Sequence, residues 1–124
     1  MFLIKKTMTI SAAHYLSHLP YESKCKEMHG HNWKITVFCR SKELDNHGMV
    51  VDFTELKKIV CEKLDHKVLN DCGIHIPTAE NIALWVCEEI NSKKLKSGWN
   101  DKKRVFCYRV EVEENEGSTA IYEI

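Results

Sequence analysis

The stretch His29-Gly30-His31-Asn32-Trp33-Lys34-Ile35-Thr36-Val37-Phe38-Cys39 decides the fold that this chain is expected to adopt. Every second residue, from His29 to Cys39, is apolar or a histidine, and most of the residues between them are polar. Because successive side chains of a strand point to opposite faces, this pattern predicts a half-buried β-strand. The two imidazoles, one residue apart, lie on its apolar face.

Two further segments alternate in the same way, and a third strand follows the second of them. Residues 2–14 place Phe2, Ile4, Met8, Ile10 and Ala12 on one face. Residues 105–114 place Phe106, Tyr108, Val110 and Val112 on one face, and Asn115-Glu116-Gly117 predicts the turn into a last strand over residues 118–124.

Two helices are predicted between these pairs of strands. Asp52-Phe53-Thr54-Glu55 has the form of a capping box, and apolar residues follow at helical spacing: Phe53, Leu56, Ile59, Val60 and Leu64. A second helix is expected to begin at Thr78, after Pro77, and to end before Gly98. Its inward residues would be Ile82, Trp85, Val86 and Ile90.

The order strand, strand, helix, helix, strand, strand predicts an α+β fold. We expect an antiparallel four-stranded sheet with both helices on one face, formed by a single domain over residues 1–124. Such a sheet has two edges that must be protected or paired with another subunit. The fold therefore favours a homo-oligomer.

Composition argues against several classes of protein. The 124 residues carry 18 basic and 18 acidic side chains, so the formal net charge is zero. We therefore expect neither nucleic acid nor an anionic membrane as a partner, and no apolar run approaches the roughly 20 residues of a membrane helix. The N-terminus does not resemble a signal peptide, and the six cysteines include no CxxC pair. These features predict a cytoplasmic protein with reduced thiols.

Three histidines form a candidate metal site. His29 and His31 share one strand face, and His14 ends the first strand on its apolar face, so a hairpin could bring all three together. Neutral imidazoles on a buried face need partners, and Zn²⁺ bound by three protein ligands keeps the open position of a catalytic site. Two alternatives stay open at this point. The histidines could be free of metal, or Cys25 could complete a closed structural zinc site.

Cys25, Asp65, His66 and Glu114 are the other candidate site residues. Cys25 lies four residues before His29, where a nearby cation would favour its thiolate. Asp65 could orient the imidazole of His66 for acid–base chemistry. Glu114 continues the alternation of residues 105–114, and a buried carboxylate there would suit a ligand with paired N–H donors. An incidental cysteine, a simple turn and a solvated glutamate are the respective alternatives.

These residues resemble the 6-pyruvoyltetrahydropterin synthase / 6-carboxytetrahydropterin synthase family. The resemblance is carried, in family order, by Ser11-Ala12-Ala13-His14, Cys25-Lys26-Glu27-Met28-His29-Gly30-His31-Asn32, Met49-Val50-Val51-Asp52-Phe53, Leu64-Asp65-His66-Lys67-Val68-Leu69-Asn70-Asp71, Pro77-Thr78-Ala79-Glu80-Asn81 and Val112-Glu113-Glu114.

The resemblance implies the tunnelling fold, in which ββααββ units join through their sheets into an oligomeric barrel, here a hexamer built as a dimer of trimers. It implies zinc on His14, His29 and His31, and a proton acceptor at Cys25. His66, oriented by Asp65, would be the second acid–base group. Glu114 would anchor the pterin, with further substrate contacts from Thr78 and Glu80. Triphosphate would bind cationic groups, for which the candidates are Lys24, Lys26, Lys34 and Lys67.

The compact chain is most similar to the bacterial branch of the family. That branch converts 7,8-dihydroneopterin triphosphate to 6-carboxy-5,6,7,8-tetrahydropterin on the route to queuosine, releasing acetaldehyde and triphosphate. The sibling branch makes 6-pyruvoyltetrahydropterin with the same residue pattern. Other hypotheses are a cyclohydrolase-like or aldolase-like activity on the same fold, to which Glu27 could contribute, and a non-enzymatic zinc-stabilised binding domain.

Overall fold

The computed structural model describes residues 1–93, residue 95 and residues 104–124. Within these residues the elements follow the predicted order. They are β1 (Phe2–His14), β2 (His29–Ser41), α1 (Phe53–Leu64), α2 (Ala79–Ser92), β3 (Phe106–Asn115) and β4 (Ser118–Glu123), with short 3₁₀ turns at Lys24–Lys26 and Leu69–Asp71. Gly98, the predicted limit of the second helix, lies outside the described residues.

The four strands form one antiparallel sheet in the order β1-β2-β3-β4. β1 pairs with β2 along its whole length, from Phe2 opposite Ser41 to His14 opposite His29. This register turns the alternating apolar residues of both strands to the same side of the sheet. The α+β architecture predicted from the sequence is therefore confirmed.

Both helices cover one face of the sheet and enclose the core. α1 packs on β1, and α2 packs on β3 and β4. The helices bury Leu56, Val60, Leu64, Ile82, Val86 and Ile90 against a sheet face whose centre is Trp33, Ile35 and Val37. None of the described helices is long and apolar enough to cross a membrane.

The helix starts follow from side-chain caps. The Asp52 carboxylate accepts a hydrogen bond from the Thr54 N–H at 2.9 Å, and the Thr78 hydroxyl accepts one from the Asn81 N–H at 3.2 Å. Each cap satisfies a backbone donor that has no partner within the first helical turn. Both helices therefore begin where the sequence predicts.

A β-bulge in β3 corrects one prediction. Phe38 of β2 lies opposite Arg109 and Cys39 lies opposite Cys107, so Tyr108 is the extra residue. An inserted residue shifts the alternation of a strand by one position. Cys107 consequently faces the core, where it is fully buried.

The prediction that Phe106 and Tyr108 share the core face with Val110 and Val112 is therefore wrong. Val110 and Val112 are fully buried beneath the helices. Phe106 and Tyr108 instead lie beside Arg40, whose guanidinium carbon is 5.2 Å and 5.7 Å from the two ring centroids. The apolar stem and the delocalised charge of Arg40 make its contact with the two rings favourable on the helix-free face.

A segment that follows α1 covers part of the outer edge of β1. The His66 N–H donates to the Ser11 carbonyl at 2.7 Å, and the Ala13 N–H donates to the Lys67 carbonyl at 3.0 Å. Val68 forms an isolated parallel bridge with Ala13. The edge covered in this way is the end of β1 that carries His14.

We expect Ile35→Ala to lower the free energy of unfolding by about 2–5 kcal/mol, because it leaves a cavity in the core. Ile35 is fully buried at the centre of β2. Its neighbour Lys34 is exposed on the other face, so Lys34→Ala should change stability by no more than about 0.5 kcal/mol. Urea unfolding measures both variants. Equal losses would contradict the assignment of the two faces.

Candidate metal centre and adjoining cleft

Strands β1 and β2 bring three histidines together at one end of the sheet. His14 and His29 are direct cross-strand partners, and His31 lies opposite Ala12, two residues further along. The ring centroids are 4.5 Å apart for His14 and His29, 5.2 Å for His14 and His31, and 4.8 Å for His29 and His31. The predicted juxtaposition of these residues is thus present.

Main-chain carbonyls determine which nitrogens of two rings face each other. His14 Nδ1 lies 2.7 Å from the Pro77 carbonyl oxygen, and His29 Nδ1 lies 2.7 Å from that of Glu27. A carbonyl only accepts hydrogen bonds, so Nδ1 carries the proton in both rings. In the neutral tautomers each Nε2 then has a free lone pair, and these two nitrogens are 3.0 Å apart.

Burial favours the neutral form of His14 and His31. It is the main cause that lowers the pKa of His14, and the neighbouring His29 and His31 lower it further against the opposing effects of the Pro77 hydrogen bond and Glu114. Burial also lowers the pKa of His31, although Glu114 opposes this shift. Where both rings are neutral, the two Nε2 lone pairs repel each other, and a cation bound between them would relieve this repulsion.

His31 Nε2 is the third nitrogen that faces this position. His31 Nε2 lies 3.1 Å from Glu114 Oε1 but without the alignment of a hydrogen bond, and it is a buried atom with no hydrogen-bond partner. Ligand atoms from His14, His29, His31 and Glu114 all lie within 4.8 Å of one another. This group could hold a metal ion, and its donors fit one.

Trp33 packs against the metal-facing histidines. Its indole N–H donates to the Ala12 carbonyl at 3.1 Å, which fixes the ring. The indole then meets His14 edge-on at 4.8 Å and His31 edge-on at 5.1 Å between ring centroids. Because Trp33 is fully buried, it restricts how the two imidazoles can turn.

Cys25 lies in the loop that leads to β2. The residue is half-buried within the 3₁₀ turn, and its carbonyl accepts a hydrogen bond from the Leu16 N–H at 2.7 Å. That bond closes the loop between β1 and β2. Within the described part of the chain, Cys25 lies outside the group of candidate metal ligands.

Asp65 and His66 form a turn attached to β1. Asp65 Oδ1 accepts a hydrogen bond from the Ser11 N–H at 2.9 Å, and its Oδ2 lies 3.6 Å from His66 Nε2. The side chain of His66 is 82% exposed. Its φ of 58° is the only positive value at a non-glycine position among the described residues, a conformation that costs energy and is often found at functional sites.

A shallow cleft borders His66 on the helix-free side of β1 and β2, and His31 is the one candidate metal ligand among the residues that line it. It has a volume of about 530 Å³ and is lined by residues of both strands and of the turn, among them His31, Asn32, His66 and Lys67. This volume is in the range of small-molecule sites. Of the four lysines considered for triphosphate, Lys67 lines this cleft.

Thr78 and Glu80, the other two predicted substrate contacts, belong to the start of α2. Thr78 caps the helix, directly after the Pro77 carbonyl that holds His14. Glu80 is exposed in the first turn. No signal in the sequence pointed to the carbonyls of Glu27 and Pro77, because every residue carries the same main-chain group. The packing of Trp33 against the histidines could not be predicted, because an inward aromatic residue in a strand has the same sequence pattern as any core residue.

The fold and the site define an α+β protein with a candidate metal centre at one end of a four-stranded sheet. The family model for 6-pyruvoyl tetrahydropterin synthase matches residues 3–124. The chain therefore belongs to this family, whose enzymes are lyases that act on pterins.

Individual relatives agree with this assignment. A protein of Archaeoglobus fulgidus, provisionally named 6-carboxy-5,6,7,8-tetrahydropterin synthase, is 40% identical over 121 residues, which cover 95% of this chain and 92% of its own. The 6-carboxy-5,6,7,8-tetrahydropterin synthase of Synechocystis sp. is 40% identical over 95 residues, which cover 69% of this chain and 72% of that protein. The structure of Caenorhabditis elegans 6-pyruvoyl tetrahydropterin synthase matches with a TM-score of 0.73 at 27% identity. The match covers 99% of this chain and 95% of that one.

We expect replacement of His14, His29 or His31 by Ala to reduce bound metal well below stoichiometry. Each change removes one imidazole from the group of facing ligand atoms. Metal analysis after dialysis against a trace of Zn²⁺ measures the effect. His47→Ala is the matched control, because His47 is exposed in a loop away from the cluster. Full metal occupancy in all three variants would contradict the assignment of these histidines as metal ligands.

Proposed function

We propose that this protein is a zinc-dependent 6-carboxy-5,6,7,8-tetrahydropterin synthase of the cytoplasm. It would convert 7,8-dihydroneopterin triphosphate and water to 6-carboxy-5,6,7,8-tetrahydropterin, acetaldehyde and triphosphate, on the route to queuosine. The observation that carries the proposal is the set of facing imidazole nitrogens with the Glu114 carboxylate beside them. The relatives named for this activity support the choice of reaction.

Zinc fits the donor set better than harder cations do. Three neutral imidazoles are the nitrogen ligands that Zn²⁺ accepts readily, whereas Mg²⁺ and Ca²⁺ prefer oxygen. His14, His29 and His31 would hold the ion and leave a position for substrate oxygen. When bound, zinc acidifies a hydroxyl and polarises a carbonyl next to it.

Cys25 and His66 would move protons on opposite sides of the substrate side chain. The thiolate of Cys25 removes a proton, and the imidazole of His66 delivers one from the cleft. Asp65 Oδ1 accepts a hydrogen bond from the Ser11 N–H, and Asp65 Oδ2 lies 3.6 Å from His66 Nε2. Triphosphate then leaves by elimination, and cleavage of a carbon–carbon bond releases the two-carbon fragment as acetaldehyde.

Glu114 would anchor the amino-pyrimidine edge of the pterin. A carboxylate can accept two parallel N–H donors from such a ring, as it does from arginine. Glu114 also lies 3.1 Å from His31 Nε2, so it stands next to the metal ligands. Proximity to the metal centre would set the substrate side chain beside the ion while the ring is held. Thr78 and Glu80 would add contacts from the start of α2.

The reaction that yields 6-pyruvoyltetrahydropterin is the second candidate. It requires the same metal ligands and the same Cys25, His66 and Glu114. The similarity to the C. elegans structure that carries this name favours it. A non-enzymatic zinc-stabilised domain is a third hypothesis, for which a closed site with a fourth protein ligand would be needed.

We also propose that the chain works as a homo-oligomer, by resemblance a hexamer made of two trimers. The sheet ends in β1 on one side and β4 on the other, and unpaired edges favour strand pairing between subunits. Among the described residues, residues 66–68 cover the His14 end of β1, which leaves the rest of that edge for such pairing. Sedimentation at micromolar concentration tests this, and a monomer would contradict it.

Product analysis tests the reaction. Purified zinc-loaded protein is incubated with 7,8-dihydroneopterin triphosphate, and the products are identified by mass. Acetaldehyde together with carboxytetrahydropterin supports the proposal, and pyruvoyltetrahydropterin supports the second candidate. Absence of turnover with zinc bound would favour the binding domain.

We expect Cys25→Ala to keep zinc while turnover falls at least about 100-fold, the usual contribution of a positioned base. Zinc content and turnover are measured on the same preparation. Cys61→Ala is the control, because Cys61 is also half-buried but lies in α1. Lost zinc, or near-normal turnover, would show that Cys25 is not the proton acceptor.

Glu114→Ala should weaken pterin binding, because the amino-pyrimidine edge loses its paired acceptor, and should leave zinc in place. Titration of a pterin and metal analysis measure the two properties. Glu113→Ala is a matched control, since Glu113 is the preceding residue and borders a separate small cavity with Lys34 and Thr36. Loss of zinc from the Glu114 variant would make this carboxylate a metal ligand instead.

A further inference from the structure

Asn70 clamps the main chain immediately after His14. Its Oδ1 accepts a hydrogen bond from the Tyr15 N–H at 3.1 Å, and its Nδ2 donates to the Tyr15 carbonyl at 3.0 Å. Both polar atoms of the half-buried carboxamide are therefore used on one residue. Asn70 belongs to the Leu69–Asp71 turn, outside the candidate ligands of the metal.

This clamp acts where β1 loses the support of the sheet. The pair of His14 and His29 is the last one between β1 and β2. On the other side of His14, Ala13 is held by the bridge to Val68 and by the Lys67 carbonyl. The segment 67–70 thus fixes the residues before and after His14. Since the peptide group between His14 and Tyr15 is planar, fixing the Tyr15 N–H also orients the His14 main chain.

We propose that Asn70 is a positioning residue for the metal centre, acting through its two hydrogen bonds to the main chain of Tyr15, the residue that follows His14. The orientation of the His14 main chain decides whether its Nδ1 reaches the Pro77 carbonyl while its Nε2 faces His29 Nε2. Without the clamp, His14 must be ordered when the metal binds, at a cost in affinity. The inference rests on the proposed function, because it needs the metal centre.

The chain contains a matched control for this interaction. Asn91 of α2 forms the same double clamp on Cys107, accepting from its N–H at 2.9 Å and donating to its carbonyl at 2.8 Å. Cys107 pairs with Cys39, which is eight residues beyond His31 on β2, or about 26 Å along the strand. Asn70→Ala therefore removes two hydrogen bonds next to the candidate ligand His14, and Asn91→Ala removes two equivalent hydrogen bonds far from it.

The experiment measures Co²⁺ and Zn²⁺ binding and the thermal unfolding of the metal-free protein for wild type and both variants. The intensity of the visible Co²⁺ bands reports coordination geometry. We expect both variants to lower the melting temperature of the metal-free protein. Asn70→Ala alone should weaken metal binding about tenfold, as loss of an outer-shell partner does, and change the Co²⁺ bands.

Three results would overturn the inference. Asn70→Ala could bind both metals with wild-type affinity and spectrum, or the two variants could lose affinity equally, which would reduce Asn70 to a stability role. If wild type bound neither metal, the metal centre of the proposed function would fail first and the inference with it. Should Asn70→Ala not fold, Asn70→Asp keeps an acceptor for the Tyr15 N–H and loses the donor. It should then show a smaller loss of metal affinity, and wild-type binding would contradict the inference.

Discussion

The register of β1 on β2 is the constraint on which both the fold and the site depend. It places His14 opposite His29 and Ala12 opposite His31, and it turns the apolar residues of both strands towards the helices. A slip by one residue would turn every one of these side chains to the helix-free face. The buried apolar faces therefore maintain the spacing of the imidazoles, so core packing and site geometry are set by the same pairing.

Three imidazole nitrogens meet at this end of the sheet. The Nδ1–H groups of His14 and His29 donate to two main-chain carbonyls, so the Nε2 atoms of these rings face each other at 3.0 Å, and His31 Nε2 is buried without a hydrogen bond. Buried polar groups without partners are costly. A cation bound by all three Nε2 atoms would relieve this cost, so its binding would also stabilise the fold.

Element order and most strand faces could be predicted because alternation and caps are local signals. The bulge at Tyr108 could not, since Phe106 and Tyr108 continue an apolar alternation that the paired strand interrupts. At the site, the three histidines followed from the parity of two strands. Trp33 and Asn70 did not, because an inward indole looks like core and a carboxamide in a turn shows nothing of a partner 55 positions away. The roles of Cys25, His66 and Glu114 stay predictions.

The acceptor that orients His29 belongs to the backbone of Glu27, while the side chain of Glu27 is exposed. Every amino acid supplies the same carbonyl, so mutation at position 27 leaves the orientation of His29 intact. Acidic, thiol or inert side chains can therefore stand two positions from a candidate metal ligand without changing how that ligand is held. A scaffold of this kind separates the main-chain contact that must stay fixed from the side chain that can vary.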